Sequence, residues 1–283
     1  MVSVERILNY AALPPEGSVE TSDAVVTPDS SWPSAGVIKF DHVFLKYAMN
    51  GPYVLNDFCL TIGKHEKIGL VGRTGSGKSS VISALFRVVE PEGTILIDDV
   101  STKSVGLHDL RRKISIIPQD PVLFIGTLRS NLDPFDEYSD EELWKALALV
   151  ELDKLVTALP DGLSAKTYEG GVNLSVGQRQ LVCLARAMLR KNKILVLDEA
   201  TANVDLSTDS LIQRTLRQCF VDCTVLTIAH RLNTVMDSDR LVVLSRGKIV
   251  QCGKPSELFH QVDGCCFSAM ASQADAADEF RIH

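Results

Sequence analysis

A glycine-rich segment between a strand-like run and a helix-like run is the feature that most constrains this chain. It reads Gly-Arg-Thr-Gly-Ser-Gly-Lys-Ser at residues 72–79, after the apolar run 67–71 and before the helical pattern 80–88. This spacing in this setting is typical of a phosphate-binding loop. The alternative is a glycine-rich turn without a ligand, and the flanking strand and helix disfavour it. The sequence therefore predicts an α/β fold that binds a polyphosphate.

Each residue type in the loop has a chemical role. The glycines let backbone N–H groups turn toward phosphate oxygens, Lys78 places a positive charge on the β and γ phosphates, and Ser79 offers a hydroxyl to Mg²⁺. The helix that begins near Lys78 adds the positive end of its dipole. The nucleotide-contacting residues predicted for this loop are Gly72, Arg73, Thr74, Gly75, Ser76, Gly77, Lys78, Ser79 and Ser80.

Composition supports a globular chain with one α/β domain and insertions, or with two small domains. The 283 residues are 45% hydrophobic, which is enough for a substantial core. The net charge of −7 argues against nucleic acid as the main partner. Runs of about 18 apolar residues are absent, and residues 1–10 lack the layout of a secretory signal. These features predict a soluble, cytosolic chain.

The seven cysteines form no Cys-x-x-Cys pair, and their number is odd. Neither a disulfide framework nor a zinc site is therefore expected, and free thiols in a reducing compartment fit better. We assign none of them a chemical role from the sequence.

Charge and proline distribution divide the chain into three parts. No lysine or arginine occurs between Arg6 and Lys39, where acidic residues and prolines accumulate. We expect residues 1–36 to be an acidic flexible linker that follows a membrane domain not contained in this sequence. Residues 37–267 are expected to form the ordered domain, and residues 268–283 a flexible tail.

The hydrophobic pattern of residues 37–267 predicts a mixed sheet with a helical insert. Strands 68–71, 194–197 and 225–228 are continuously apolar, as expected for a parallel sheet buried on both faces. Earlier alternating strands predict an antiparallel layer, residues 245–248 a hairpin turn, and Ser139 to Glu142 a capping box that begins a largely helical region to residue 190. The other predicted strands are 37–40, 58–62, 94–97, 114–117 and 241–244.

Two acids, Asp198 and Glu199, follow the strand 194–197. They lie at the carboxyl end of a parallel strand, where open α/β sheets bind ligands. We expect Asp198 to hold Mg²⁺ and Glu199 to polarise the water that attacks the γ phosphate. Acids at a strand end are usually capping or solvated groups, but their combination with a phosphate loop favours the catalytic interpretation.

A second candidate anion site precedes the helical pattern 179–190. The sequence there is Leu-Ser-Val-Gly-Gln at residues 174–178, which offers the Ser175 hydroxyl and the N–H groups of a helix start. Taken alone, this segment would be an ordinary helix cap.

The order of these motifs resembles the nucleotide-binding domain of an ABC transporter over residues 37–267. The set comprises the phosphate loop, Gln119 in Ile-Pro-Gln, residues 174–178, residues 194–199, Asp205 and His230. In four segments the sequence is also similar to the second nucleotide-binding domain of subfamily C, the multidrug resistance-associated proteins. These four segments are residues 106–111, 131–135, 175–186 and 229–234.

This resemblance implies a P-loop NTPase (RecA-like) core with a mostly parallel sheet, an antiparallel β subdomain and an inserted α-helical subdomain at about 127–190. It implies ATP and Mg²⁺ as cofactors and a Mg-dependent ATPase that drives export of organic anions, conjugates or drugs. The implied catalytic residues are Glu199, His230, Gln119 and Lys78, and the implied metal ligands are Ser79, Gln119 and Asp198.

Tyr47 is the residue that the resemblance implies for stacking on adenine, and His230 for contact with the γ phosphate. An aromatic face suits a purine, and a histidine at a strand edge can donate a hydrogen bond to phosphate. Each has a structural alternative: Tyr47 as a core aromatic, His230 as a satisfied histidine at a strand end, and Gln119 as a loop amide.

The resemblance also implies partners. Two such domains would sandwich two ATP molecules head to tail, with Ser175, Gly177 and Gln178 contacting the nucleotide of the partner domain. Transmembrane domains would bind through the loop after Gln119, at the cytoplasmic side of a membrane, expected to be the plasma membrane, and no nucleic acid is expected.

The main functional alternative is a nucleotide-sensing regulatory domain of a channel-linked subfamily C protein. A soluble ABC protein would need a second cassette or coiled-coil arms, and a small-molecule kinase would not need residues 174–178. Two departures from the family pattern are Val176 in place of glycine and Ala-Asn-Val-Asp at 202–205 in place of Ser-Ala-Leu-Asp.

Overall fold

A computed structural model describes residues 2–13, 16–18, 29, 31–48, 50–200, 204–229 and 234–260. The strands are β1 Ile38–Leu45, β2 Leu55–Ile62, β3 Lys67–Val71, β4 Glu92–Ile97, β5 Val100–Ser101, β6 Ile114–Ile117, β7 Gly126–Thr127, β8 Lys166–Thr167, β9 Ile194–Asp198, β10 Thr224–Ile228, β11 Arg240–Ser245 and β12 Lys248–Gly253. The helices are α1 Val2–Ala11, α2 Lys78–Leu85, α3 Leu107–Arg112, α4 Leu128–Leu132, α5 Asp140–Leu149, α6 Asp153–Ala158, α7 Val176–Arg190, α8 Leu206–Cys219 and α9 Pro255–His260, with short 3₁₀ turns at Thr102–Ser104, Gly162–Ser164 and Glu169–Gly171.

A six-stranded sheet in the order β12-β11-β3-β10-β9-β6 forms the centre of the fold. Neighbouring strands from β11 to β6 are parallel, and β12 pairs antiparallel with β11 through the predicted hairpin. All eight strands expected from the sequence are present. Because β3, β10, β9 and β6 are neighbours and run the same way, the segments that follow them meet at one edge of the sheet.

The sheet is buried on both faces. Ile194 and Val196 of β9 belong to one apolar cluster, which also contains residues of α2 and of the antiparallel strands. Leu195 and Leu197 belong to a second cluster formed with α5 and α7. Since successive side chains of a strand point to opposite faces, this alternation explains the continuously apolar sequence of β9.

The predicted antiparallel layer is a four-stranded sheet in the order β2-β1-β4-β5. Its inward-facing residues join the first apolar cluster, and Phe40 and Phe58 pack edge to face within it. This layer covers one face of the central sheet together with α2.

The region from 127 to 190 is mostly but not entirely helical. The capping box predicted at Ser139 is confirmed, since its hydroxyl accepts from the Glu142 N–H and the Glu142 carboxylate accepts from the Ser139 N–H. The expected helical run is interrupted by β8, which pairs antiparallel with β7. Two-residue strands carry too little alternation to be recognised in a sequence.

The segment predicted as a flexible linker contains an exposed helix and a buried tryptophan in its described parts. Residues 2–11 form α1, and the Ser18 carbonyl accepts from the Leu107 N–H at 3.0 Å. Trp32 is buried and its indole N–H donates to the Ile97 carbonyl at 2.9 Å. Trp32 therefore packs into the first apolar cluster from a position before residue 37. Residues 261–283, which include the predicted tail, lie outside the described residues.

No helix among the described residues is long and apolar enough to cross a membrane.

Lys67 joins the start of β3 to the end of α8. Its ammonium donates to the carbonyls of Phe220 and Val221, both at 2.9 Å, and to that of Cys223 at 2.5 Å. The His65 carbonyl oxygen lies 3.1 Å from the same nitrogen and shares one of its three N–H donors. A positive charge at a helix carboxyl end also interacts favourably with the helix dipole.

Lys67→Met is therefore expected to lower the free energy of unfolding by about 1.5–3 kcal/mol, because it keeps the apolar stem and leaves these carbonyls without a charged donor. Chemical denaturation measures the change. Lys248→Met, at an exposed strand lysine, is the control and should change stability by less than about 0.5 kcal/mol. Equal unfolding midpoints for the two variants would contradict this role of Lys67.

Candidate nucleotide-binding site

The predicted phosphate loop connects β3 to α2 in a tightly fitted turn. Gly75 and Gly77 have φ values of 78° and 107°, a region that suits glycine. A Cβ on Gly77 would also lie 3.0 Å from the Val54 carbonyl oxygen. The Gly247 N–H donates to the Ser76 carbonyl at 2.8 Å, so the β11–β12 turn supports the loop from outside.

Lys78 lies in the turn with its side chain directed back over the loop. It is 5% exposed, and its ammonium donates to the carbonyls of Gly72 at 2.7 Å and Arg73 at 3.4 Å. Burial lowers the pKa of Lys78, while the carboxylates of Glu199 and Asp198 act to raise it. The structure therefore brings the predicted lysine and both predicted acids into one electrostatic environment.

The loop fits a polyphosphate accompanied by Mg²⁺. The Ser76 hydroxyl is buried without a hydrogen-bond partner, and no side chain caps the first N–H groups of α2 at Gly77. Unpaired donors at a helix start are an anion-binding arrangement. The Ser79 hydroxyl and the Asp198 carboxylate are oxygen donors of the kind that Mg²⁺ prefers, and they would be its ligands here.

Backbone hydrogen bonds connect the ends of the three strands at this edge. The Glu199 N–H donates to the Ile228 carbonyl at 3.0 Å, which joins the end of β9 to β10. The Ala229 N–H donates to the Leu70 carbonyl at 3.3 Å, which joins the end of β10 to β3. Glu199 has a left-handed backbone with φ of 48°, an uncommon conformation for a residue with a side chain.

Tyr47 lies beside the phosphate loop with an accessible ring. Its side chain is 58% exposed, so the alternative of a core aromatic is wrong, and its hydroxyl shares a 3.0 Å hydrogen bond with the Ser80 hydroxyl. His230 lies outside the described residues.

Gln119 is exposed after the end of β6. The neighbouring Pro118 carbonyl accepts a 3.0 Å hydrogen bond from the buried Gln180 side chain of α7. Helix α7, which begins within residues 174–178, is thereby connected to the Gln119 segment.

The candidate second anion site begins α7. Ser175 is the N-cap: its hydroxyl accepts from the Gln178 N–H at 3.1 Å, and the Gln178 side chain accepts from the Ser175 N–H at 2.9 Å. Gly177 is buried because α7 approaches α8 closely there, and a Cβ would lie 3.1–3.4 Å from atoms of the Thr208 side chain. No hydrogen bond or ion pair between described residues joins Ser175, Gly177 or Gln178 to the phosphate loop.

Asp205 is the N-cap of α8. Its carboxylate accepts from the Thr208 N–H at 3.0 Å, from the Thr208 hydroxyl at 2.9 Å and from the Ser207 hydroxyl. These hydrogen bonds lower the pKa of Asp205 to about 2. The contribution of this cap to stability is therefore present above the ordinary pKa of the carboxyl group, and it is lost as the pH falls toward 2.

One cluster around the Gln119 segment was not assigned a role from the sequence. The Arg186 guanidinium of α7 donates to the Val122 carbonyl at 2.9 Å and to the Asn131 side chain at 2.8 Å, with a further bond to the Asn131 carbonyl. Asn131 in turn bonds the backbone of Phe124 in both directions at 2.8 Å. These contacts fix residues 122–124, which follow Gln119. Asn131 and Arg186 lie in two of the segments that carried the resemblance, but their contacts are long-range and could not be read from spacing.

Comparison with known proteins agrees with this geometry. The sequence profile of the family described as ABC transporter matches residues 55–202. The chain is 54% identical over 279 residues to the probable multidrug resistance-associated protein lethal(2)03659 of Drosophila melanogaster, covering 98% of this chain and 20% of that protein. It is 53% identical to the human ATP-binding cassette sub-family C member 4 over 98% of this chain and 21% of that protein.

A bacterial Atm1-family ABC exporter, solved with ATP bound, is similar in structure. The TM-score is 0.85 at 29% sequence identity, covering 96% of this chain and 47% of the exporter chain. The chain spans about a fifth of the length of the curated relatives named above.

Fold and site together define a P-loop nucleotide-binding domain with a mostly parallel core, an antiparallel β layer and a helical insert. The chain belongs to the ABC transporter family, and its relatives in sub-family C include multidrug resistance-associated proteins. The predicted family and fold class are confirmed.

Proposed function

We propose that this chain is the ATP-binding and ATP-hydrolysing domain of an ABC exporter and that its chemistry is carried by residues 37–267. The observation that carries the proposal is geometric: the phosphate loop with Lys78 follows β3, and Asp198 and Glu199 end the parallel strand β9 at the same edge of the sheet. The proposed function is export of organic anions, conjugates or drugs, and the proposed position of the domain is its second, C-terminal place in a subfamily C transporter.

Each site residue has a proposed part in hydrolysis. Lys78 and the N–H groups of residues 72–80 bind and orient the β and γ phosphates of ATP. The water oxygen forms a bond to the γ phosphorus while the bond between the γ phosphorus and the ADP oxygen breaks. Glu199 accepts the proton that this water loses. Tyr47 stacks on adenine, and His230 donates to the γ phosphate.

The ligands proposed for Mg²⁺ are Ser79, Asp198 and Gln119. When bound, this ion supplies positive charge that neutralises the phosphate oxygens. Gln180 and Arg186 connect the Gln119 segment to α7. We propose that a change at the nucleotide site is transmitted to α7 through these hydrogen bonds.

The complete site is proposed to need a second nucleotide-binding domain. The phosphate loop continues into α2, whose side chains belong to one apolar cluster, whereas Ser175 begins α7, whose side chains belong to another. Among the described residues no hydrogen bond or ion pair joins the two anion sites, and the proposed arrangement is therefore a head-to-tail pair. In it Ser175, Gly177 and Gln178 contact the nucleotide bound by the partner domain.

A paired substitution tests this arrangement. Ser175→Ala removes the hydroxyl from the start of α7 and is expected to leave ATP binding to the isolated chain unchanged while lowering turnover at least about tenfold. Ser139→Ala is the matched control, because Ser139 is also an N-cap serine with a capping box. Both variants should lose about 1 kcal/mol of stability, which denaturation measures.

Turnover that falls equally in both variants would attribute the effect of Ser175→Ala to helix capping. Loss of ATP binding by the isolated Ser175→Ala chain would show that Ser175 acts on the nucleotide of its own chain. Either outcome would contradict the head-to-tail arrangement.

The transmembrane domains are proposed to dock in a groove of about 260 Å³ beside Gln119. Ile116, Val122 and Phe124 line it with exposed apolar surface, and Arg186 forms part of its wall. Such docking would put the domain at the cytoplasmic side of a membrane, with the plasma membrane as the proposed location.

A further inference from the structure

A cluster of three potential metal ligands lies on the antiparallel sheet. His42 of β1 and Asp57 and Cys59 of β2 are exposed, and their ligand atoms lie within 4.8 Å of one another. The nucleotide-binding mechanism uses none of these residues.

Two strand irregularities bring the three side chains together. Pairing of β1 with β2 shifts register between Phe40 and Val43 and again between Val43 and Leu45. His42 and Asp57 lie at these shifts with left-handed backbones, at φ values of 48° and 55°. Bulges redirect side chains, and here they put both residues on the solvent face beside Cys59.

The two separations that involve sulfur are close to those of a tetrahedral zinc site. Cys59 Sγ lies 3.7 Å from His42 Nδ1 and 3.9 Å from Asp57 Oδ1, and His42 Nδ1 lies 2.6 Å from Asp57 Oδ1. Zinc bonds of about 2.3 Å to sulfur and about 2.0–2.2 Å to nitrogen or oxygen put tetrahedral ligand atoms roughly 3.3–3.6 Å apart. The two sulfur separations need to shorten by a few tenths of an ångström, and the nitrogen–oxygen pair must widen.

A backbone donor also points at the candidate sulfur ligand. The His42 N–H points at Cys59 Sγ, with 3.3 Å between nitrogen and sulfur. Hydrogen bonds to a charged form stabilise it, so this donor would support a coordinated thiolate.

We propose that His42 Nδ1, an Asp57 carboxylate oxygen and Cys59 Sγ bind one Zn²⁺ ion, with water as the fourth ligand. Thiolate, imidazole and carboxylate are a donor set suited to zinc, and three protein ligands leave one open position. Binding releases the Cys59 thiol proton and any proton on His42 Nδ1 to solvent.

Co²⁺ is the probe, because a cobalt–thiolate bond gives a charge-transfer absorption that oxygen ligands do not give. The full-length chain is titrated with excess Mg²⁺ present, which occupies oxygen sites and does not compete for thiolate. All samples carry Cys265→Ser and Cys266→Ser, so that these thiols outside the described residues cannot contribute.

The expected result is one equivalent of thiolate-bound Co²⁺ that Zn²⁺ displaces. Cys59→Ser should abolish the absorption, and His42→Ala should weaken binding at least about tenfold. Cys252→Ser, at an exposed thiol on β12, is the matched control and should bind as the parent does.

Unchanged ATP binding in every variant verifies that each is folded, since the three ligand positions are exposed. The proposal is overturned if the parent shows no thiolate absorption, if Cys59→Ser retains it, or if Cys252→Ser loses it.

Discussion

Lys78→Ala is expected to weaken ATP binding roughly 10- to 150-fold and to abolish measurable turnover. Charge-assisted hydrogen bonds contribute about 1.5–3 kcal/mol, which corresponds to that range of affinity. Lys78 is also the buried cation on which Glu199 and Asp198 act electrostatically, and without it their charges would repel phosphate. Equilibrium titration with ATP measures the first effect, and phosphate release measures the second.

The control for this variant is Lys64→Ala, at an exposed lysine in the connection between β2 and β3. Lys64→Ala removes the same charge outside the phosphate loop, so it should bind and hydrolyse ATP as the parent does. Thermal unfolding of both variants separates a binding defect from a folding defect. Normal ATPase activity in Lys78→Ala would contradict the assignment of the phosphate loop.

Glu199→Gln is expected to slow hydrolysis by about 10²–10⁴ while ATP binding is kept. Loss of a general base typically has a cost of this size. Glutamine keeps the size of the side chain, and the backbone bond from Glu199 to the Ile228 carbonyl does not depend on the carboxylate. Removing a negative charge beside the phosphates should also favour the ATP-bound pair of domains, which sedimentation measures.

Glu151→Gln is the matched control, because Glu151 also has a left-handed backbone, with φ of 55°, and an exposed side chain. It should leave turnover unchanged. If Glu199→Gln hydrolysed ATP at the parent rate, a different residue would have to act as the base.

The central sheet and the phosphate loop could be predicted because their signals are local. Strand β9 is apolar at every position before Asp198, since it is buried on both faces. The loop has glycines where the backbone has positive φ values, as at Gly75 and Gly77. Spacing along the chain is sufficient to recognise such features.

Contacts between distant segments could not be predicted in this way. Arg186 bonds Asn131 and Val122, 55 and 64 residues away. The cluster of His42, Asp57 and Cys59 depends on two register shifts that leave no clear pattern in the sequence. The cluster contains only one cysteine, so the absence of a Cys-x-x-Cys pair from the sequence gives no information about it.

Close packing at Gly177 is also a feature that the sequence does not predict. Its sequence position suggested a contact with phosphate, whereas the structure gives a further reason for glycine, the close approach of α7 to Thr208. Its proposed contact with the nucleotide of a partner domain remains a prediction.

The most direct test of the account is the rate of Mg²⁺-ATP hydrolysis by the purified chain, measured as a function of chain concentration with Glu199→Gln as the control. Activity per chain is expected to rise with concentration and to be lost in the control, because each site is completed by a second domain. Activity per chain that is substantial, independent of concentration and lost in the control would contradict it, since one chain would then contain a complete site.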